Sequence, residues 1–211
     1  MFRRLGSGLT NGIYSITTWF LSVVLKVLFR YRILGRENVK PDGDYIIVAR
    51  HRSYWDVAFM AVALGARNRV HFISRRGLMR GVPIVRWAIR AYSTIIDREN
   101  FGKSDFRRVR EACKRERLIG LFPEGTTKRR VDAKAGAVRF AEIANKEILP
   151  LNIRAAGPYP PAYPFRFPKV TVSIGPAFEV TDLDGEESAD VGRTERHRRM
   201  SERLMQRVDT A

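Results

Sequence analysis

Short apolar runs recur through the middle of the chain, each breaking into a polar or glycine-bearing turn. Residues 45–49, 70–73, 94–96, 118–122, 148–153 and 169–174 read as strands. Residues 55–64, a short stretch within 77–92, residues 104–117 and residues 134–145 instead space their apolar positions as helices do, with Ser104 as a candidate N-cap. Strands of nearly continuous apolar character are buried on both faces. Their alternation with helices predicts an α/β fold, a central, mostly parallel sheet flanked by helices.

The ends of the chain depart from this rhythm. Residues 5–25 carry no charge, and residues 13–29 concentrate Leu and Val with Trp19 and Phe20, close to the roughly 20 residues that span a bilayer. Gly6, Gly8, Asn11 and Gly12 dilute the first half and Lys26 interrupts the end. The expectation is therefore an N-terminal membrane-associated helix, embedded or interfacial; the competing reading is an amphipathic helix of a soluble core. Basic residues flank both ends, so charge sets no orientation, and no small-residue cleavage site precedes Arg30 to suggest a signal peptide. Residues 157–168 are too rich in proline for helix or strand and read as a loop with aromatic cover. Residues 182–190 are acidic and loop-like, and residues 194–208 form an Arg-rich helix with a solvated face. The expected organisation is a membrane-associated segment at 1–34, a catalytic domain at 35–180, and an acidic loop with a basic helix at 181–211.

Composition narrows the partners. The 211 residues, 45% apolar, suffice for one sizeable core. A net charge of +17 raises a positive potential over the surface. No zinc-ligand set, helix-turn-helix spacing or aromatic RNA-binding run accompanies it, so nucleic acid is not expected as a partner and an anionic bilayer is. The single Cys113 excludes an intrachain disulfide, and with only three histidines neither a Cys/His metal site nor a metal cofactor is expected.

Just after the first strand, His51-Arg52-Ser53-Tyr54-Trp55-Asp56 sets an imidazole and a carboxylate five apart. Histidine titrates near neutral pH, as a general base for an alcohol must, and a carboxylate on its other nitrogen fixes the tautomer. The same letters also describe a helix start, Ser53 capping and Asp56 reciprocating three residues on. A second strand-to-loop transition, at Phe122-Pro-Glu-Gly-Thr-Thr127, carries one more carboxylate.

Together these two blocks resemble the signatures of the glycerolipid acyltransferases, the family of 1-acylglycerol-3-phosphate O-acyltransferases. Residues 92–98, ending in Ile96-Asp97-Arg98, look like the family's third block, and residues 148–153, around Pro150, like its fourth. The resemblance implies an enzyme that moves a fatty acyl group from an acyl thioester, acyl-CoA or acyl carrier protein, to the hydroxyl of a lysophospholipid acceptor, giving phosphatidic acid. It needs no cofactor, and its place is the cytoplasmic face of the cell membrane, peripheral or monotopic. His51 is then the base and Asp56 its orienting partner. Arg98 binds the acceptor phosphate, Glu124 meets the glycerol hydroxyl or shapes the loop, and Gly125 and Thr126 offer N–H groups to anionic oxygen. Two departures stand out: Arg50 occupies the position before the histidine where the family often has Asn, and Thr127-Lys128 stands where many members have Arg. Lys128 and Lys134 are further candidate phosphate cations, and Arg75 and Arg76 lie where relatives tend to have Lys. Another acceptor, such as glycerol 3-phosphate or a glycolipid, and a non-catalytic basic membrane- or nucleic-acid-binding protein are the alternatives.

Overall fold

A computed structural model describes residues 7–124, 136–162, 166–185 and 192–211. Strand β2 (Tyr45–Ala49), buried at every residue, lies between β5 (Leu118–Leu121) and β6 (Glu147–Ala156), both parallel to it. Beyond β5, β3 (Val70–Arg75) and β4 (Ser93–Ile96) extend the sheet in parallel. On the other side β7 (Lys169–Ile174) runs antiparallel to β6, and β1 (Arg32–Leu34) closes that edge parallel to β7. The seven strands thus run in the order β1-β7-β6-β2-β5-β3-β4, mostly parallel as expected, with one antiparallel pair. Sequence pattern missed β1 and left it in the N-terminal helical segment: a three-residue edge strand with two exposed positions carries almost no periodicity.

Helices cover both faces. On one lie α1 (Ser7–Phe29), α2 (Trp55–Leu64) and α3 (Pro83–Tyr92), the last meeting α1 where the Tyr14 and Tyr92 rings cross edge-on at 5.3 Å. On the other lie α4 (Lys103–Arg115), α5 (Gly136–Ala144) and α6 (Arg193–Thr210), whose Val109, Val138 and Leu204 pack with Ile46, Val48 and Ile119. Ser104 does not cap α4. Asp105 does that work, accepting the Gly102 N–H on one oxygen at 3.4 Å and the Asp97 N–H on the other at 3.2 Å, which ties the helix to the turn after β4.

α1 has two apolar faces. Leu25 and Phe29 are fully buried, and Phe29 makes edge-on contacts with Trp55, Phe59 and Phe167 at 5.0–5.1 Å, each worth about 0.5–1.5 kcal/mol beyond its buried area. The opposite face leaves Ile16, Trp19, Phe20 and Val27 more than half exposed. α1 thus carries apolar side chains on a buried face and on an exposed one. By length and composition it is long and apolar enough to cross a membrane.

One glycine shapes the approach to the site. A Cβ at Gly120 of β5 would stand 2.6 Å from the Phe72 ring and 2.8 Å from Met60 Sδ. Its absence lets Phe72 lie across the sheet and stack, rings nearly parallel, against Phe122.

Candidate active site

Parallel strands send their carboxyl ends to one side of the sheet, where α/β folds build their sites. His51 follows β2, Glu124 follows β5, Arg98 follows β4, and Tyr159 follows β6. The topology alone therefore gathers residues that lie up to 108 positions apart in sequence, from 51 to 159.

His51 Nδ1 lies 3.2 Å from Asp56 Oδ2. A carboxylate oxygen with no proton of its own can only accept, so Nδ1 carries the hydrogen and Nε2 the lone pair. The ring stacks on Phe122 at 4.4 Å and 22°, which fixes its plane. Asp56 is fully buried at the first turn of α2. Such a carboxylate is tolerated because donors surround it. The N–H groups of Arg52 and Ser53 reach Oδ2 at 2.6 and 2.7 Å, and the Tyr159 hydroxyl donates to Oδ1. Ser53 Oγ accepts the Trp55 N–H at 3.3 Å. Ser53 does not cap α2, whose N-cap is Tyr54 with no side-chain cap bond; the acid half of the helix-start pattern is present, and the same Asp56 carboxylate stands against the His51 ring.

Tyr159 is the member of the cluster that sequence reasoning passed over as loop cover. Burial, and then the adjacent Asp56 charge, push its phenol well above the ordinary tyrosine range, so it stays a donor. Arg52 holds it in place, lying over its ring at 5.5 Å while donating to the Ile153 carbonyl of β6.

Glu124 is nearly buried, with Oε2 accepting the His51 N–H at 3.0 Å and Oε1 accepting Arg50 Nη1 at 2.5 Å. Arg98 Nη2 donates to the Glu124 carbonyl at 3.2 Å, bringing its guanidinium to the loop after β5. Asp97 accepts the Asn100 N–H at 3.1 Å and lies 3.7 Å from Arg76 Nη1, shaping the turn. Gly125, Thr126, Lys128 and Lys134 lie outside the described residues. Arg86 and Arg90 share a face of α3 one helical turn apart.

The remaining histidines serve the fold. His71 is buried in β3 with Nε2 3.0 Å from Thr94 Oγ1, and burial pulls its pKa down to about 4. His197 joins α6 to α5 through Glu142 Oε2 at 2.9 Å. Cys113 is buried and its thiol is pushed up to about 11 by that burial, so it is a poor nucleophile. Among the described residues no group of three or more His, Cys, Asp or Glu side chains could hold a metal ion. An open hollow of about 530 Å³, lined by Lys40, Asp44, Asn145 and Glu147, lies at the amino ends of β2 and β6, away from His51.

Known proteins share both the sequence pattern and the fold. The 1-acyl-sn-glycerol-3-phosphate acyltransferase of Bacillus subtilis (strain 168) is 26% identical over 189 residues, 89% of this chain and 91% of that protein. The protein of the same description from Streptococcus pneumoniae (strain ATCC BAA-255 / R6) is 29% identical over 144 residues, 67% of this chain and 53% of that protein. In fold, the crystal structure of the 1-acyl-sn-glycerophosphate (LPA) acyltransferase of Thermotoga maritima superposes with a TM-score of 0.74, covering 99% of this chain and 82% of that one at 21% identity. The Acyltransferase family model matches residues 30–154. That stretch contains His51, Asp56, Arg98 and Glu124, and the chain belongs to the acyltransferase family.

Proposed function

We propose that this acyltransferase esterifies the free hydroxyl of 1-acylglycerol 3-phosphate with an acyl group from acyl-CoA or acyl carrier protein, yielding phosphatidic acid. The observation that carries the reading is the His51–Asp56 pair, an imidazole with its proton anchored at Nδ1 and its ring plane fixed by Phe122. Nε2 takes the proton of the acceptor hydroxyl as the oxygen attacks the thioester carbonyl; collapse of the tetrahedral intermediate expels the thiolate, which recovers the proton from His51. A thioester is already activated, so a positioned base suffices and no acyl-enzyme is needed. Asp56 steadies the imidazolium formed on the way. Arg98 supplies a guanidinium fork for the acceptor phosphate.

The acceptor and product are amphiphiles, and the apolar surfaces support a membrane seat for them. α1 is fastened along its length: Ser15 Oγ donates to the Ala66 carbonyl at 2.9 Å, Tyr14 accepts the Val70 N–H at 3.2 Å, and Phe29 is locked in the core. With its outer face apolar and its inner face bound to the domain, α1 lies in the interface and does not thread it. α3 adds exposed Ile84, Val85 and Trp87 beside its arginines, with exposed Val82 just ahead of it. This favours a monotopic enzyme on an anionic, cytoplasmic leaflet.

The test is incubation of the purified protein in liposomes with lysophosphatidic acid and long-chain acyl-CoA, following phosphatidic acid by mass spectrometry. Wild type forms product and folded His51→Ala forms almost none, a loss of about 10²–10⁴-fold for a general base. Product indifferent to His51 would refute the mechanism. Turnover only with another acceptor, such as glycerol 3-phosphate, would move the substrate but keep the chemistry.

A further inference from the structure

Both carboxylate oxygens of Glu124 are engaged inside the protein, by the His51 N–H and by Arg50 Nη1. Arg50 is gripped from its other side as well: Nε and Nη2 donate to Asp209 Oδ1 and Oδ2 at 2.6 and 2.7 Å, the two-pronged geometry in which a guanidinium meets a carboxylate best. These bonds, above all those to Asp209, push the Arg50 pKa up, so the group is a fixed cation. Asp209 belongs to the last turn of α6, 159 residues away in sequence. That turn is seated on β6, with its Asp209 carbonyl accepting Asn152 Nδ2 at 2.7 Å and Arg154 Nη2 at 3.1 Å.

General stability does not account for this arrangement. A carboxylate in the last turn of a helix faces the negative end of the macrodipole, and a half-exposed ion pair adds little by itself. What the chain of contacts does is join α6 to the loop that bears the base. Asp209 holds Arg50, Arg50 holds Glu124, and Glu124 holds the backbone of His51.

We propose that Asp209 and Arg50 are positioning residues: acting through Glu124, they fix the backbone of the His51 loop against the loop after β5. Arg50, the departure from the family's usual Asn, and Asp209 of α6 then form one unit. The proposal rests on the reading of His51 as the base. It makes Glu124 a tie between the two loops at the carboxyl end of the sheet.

The experiment compares the wild type, Asp209→Asn, Asp209→Glu, Arg50→Asn and the Arg50→Asn/Asp209→Asn double variant, full length in liposomes, by steady-state kinetics and by amide hydrogen exchange of the peptide containing His51. Asp209→Asn lowers kcat about tenfold, with KM for both substrates changed less than about twofold, and speeds exchange at His51. Asp209→Glu recovers most of the loss. In the Arg50→Asn background, Asp209→Asn has no further effect beyond about twofold, because its influence passes through the guanidinium. Wild-type kinetics and exchange in Asp209→Asn, or full additivity in the double variant, overturn the proposal. Should the wild type transfer no acyl group at all, the functional reading fails, whereas the exchange comparison still decides the positioning.

Discussion

Asp56 shows how much one side chain carries when it is buried with its lone pairs in use. It starts α2, orients His51 and receives the Tyr159 hydroxyl. Tyr159→Phe leaves Oδ1 without that donor inside the protein, which costs about 1.5–3 kcal/mol for a bond to a charged group. Denaturant melts should register that loss, and kcat should fall about tenfold because the carboxylate is less firmly held; unchanged stability and turnover would remove Tyr159 from the site. His71 gives a pH signature of the fold. Its pKa is depressed to about 4 from 6.5 by burial, so below pH 6.5 the unfolded chain binds a proton that the folded chain refuses. Stability therefore declines as pH drops from 6.5 and stops declining on this account below about 4, by a total of about 3 kcal/mol. His71→Gln keeps an amide for Thr94 and should flatten that limb in melts from pH 7 to 4; an unaltered limb assigns it elsewhere. His51 and Asp56 were legible because they share one local block. Tyr159 and Asp209 were not, since they arrive from separate elements 103 and 159 positions from their partners, and local pattern holds no record of such meetings.

The strands that bury both faces announced themselves as apolar runs, and the helices by their spacing, because each had to satisfy a core at every position or every third and fourth. β1 and the ends of β6 were under-read for the opposite reason: part of each is exposed, so no pattern is imposed on it. Gly120 marks a further place where an element serves the site through what it lacks. Gly120→Val would push Phe72 off β5, an overpacking cost of about 1–3 kcal/mol. Since Phe72 stacks on Phe122 and Phe122 on His51, turnover should fall beyond what the melting temperature explains. If kcat is preserved in the folded variant, the stack does not position the imidazole. α1 and α3 make a different demand, a partner for their outer faces. Trp19→Glu combined with Ile84→Glu alters only exposed positions, so it should leave the fold intact and weaken sedimentation with vesicles tenfold or more, by roughly the transfer free energy of an aromatic and an aliphatic side chain.

On the proposed membrane reading, charge and apolar surface act over different ranges. Much of the charge of α6 is paired within the protein: Arg198 with Glu195 and Glu202 and Arg199 with Glu195 along the helix, and Arg196 with Asp184 before it, and bonds from Arg198 and Arg199 pull the Glu195 pKa down to about 2. The arginines of α3 lie next to that helix's exposed apolar side chains, so anionic headgroups and acyl chains can be met together. Attraction to the headgroups is screened over about 10 Å at 0.1 M salt, whereas burial of Trp19 and Ile84 among acyl chains is not. The two contributions should therefore separate in a salt titration. With vesicles containing phosphatidylglycerol, raising salt from about 50 to about 500 mM should weaken binding about tenfold or more, and with phosphatidylcholine alone it should change little. The binding left at high salt should be the part that Trp19→Glu with Ile84→Glu abolishes. If salt alone removes all binding, the membrane contact is purely electrostatic and the outer face of α1 must be covered by something other than lipid.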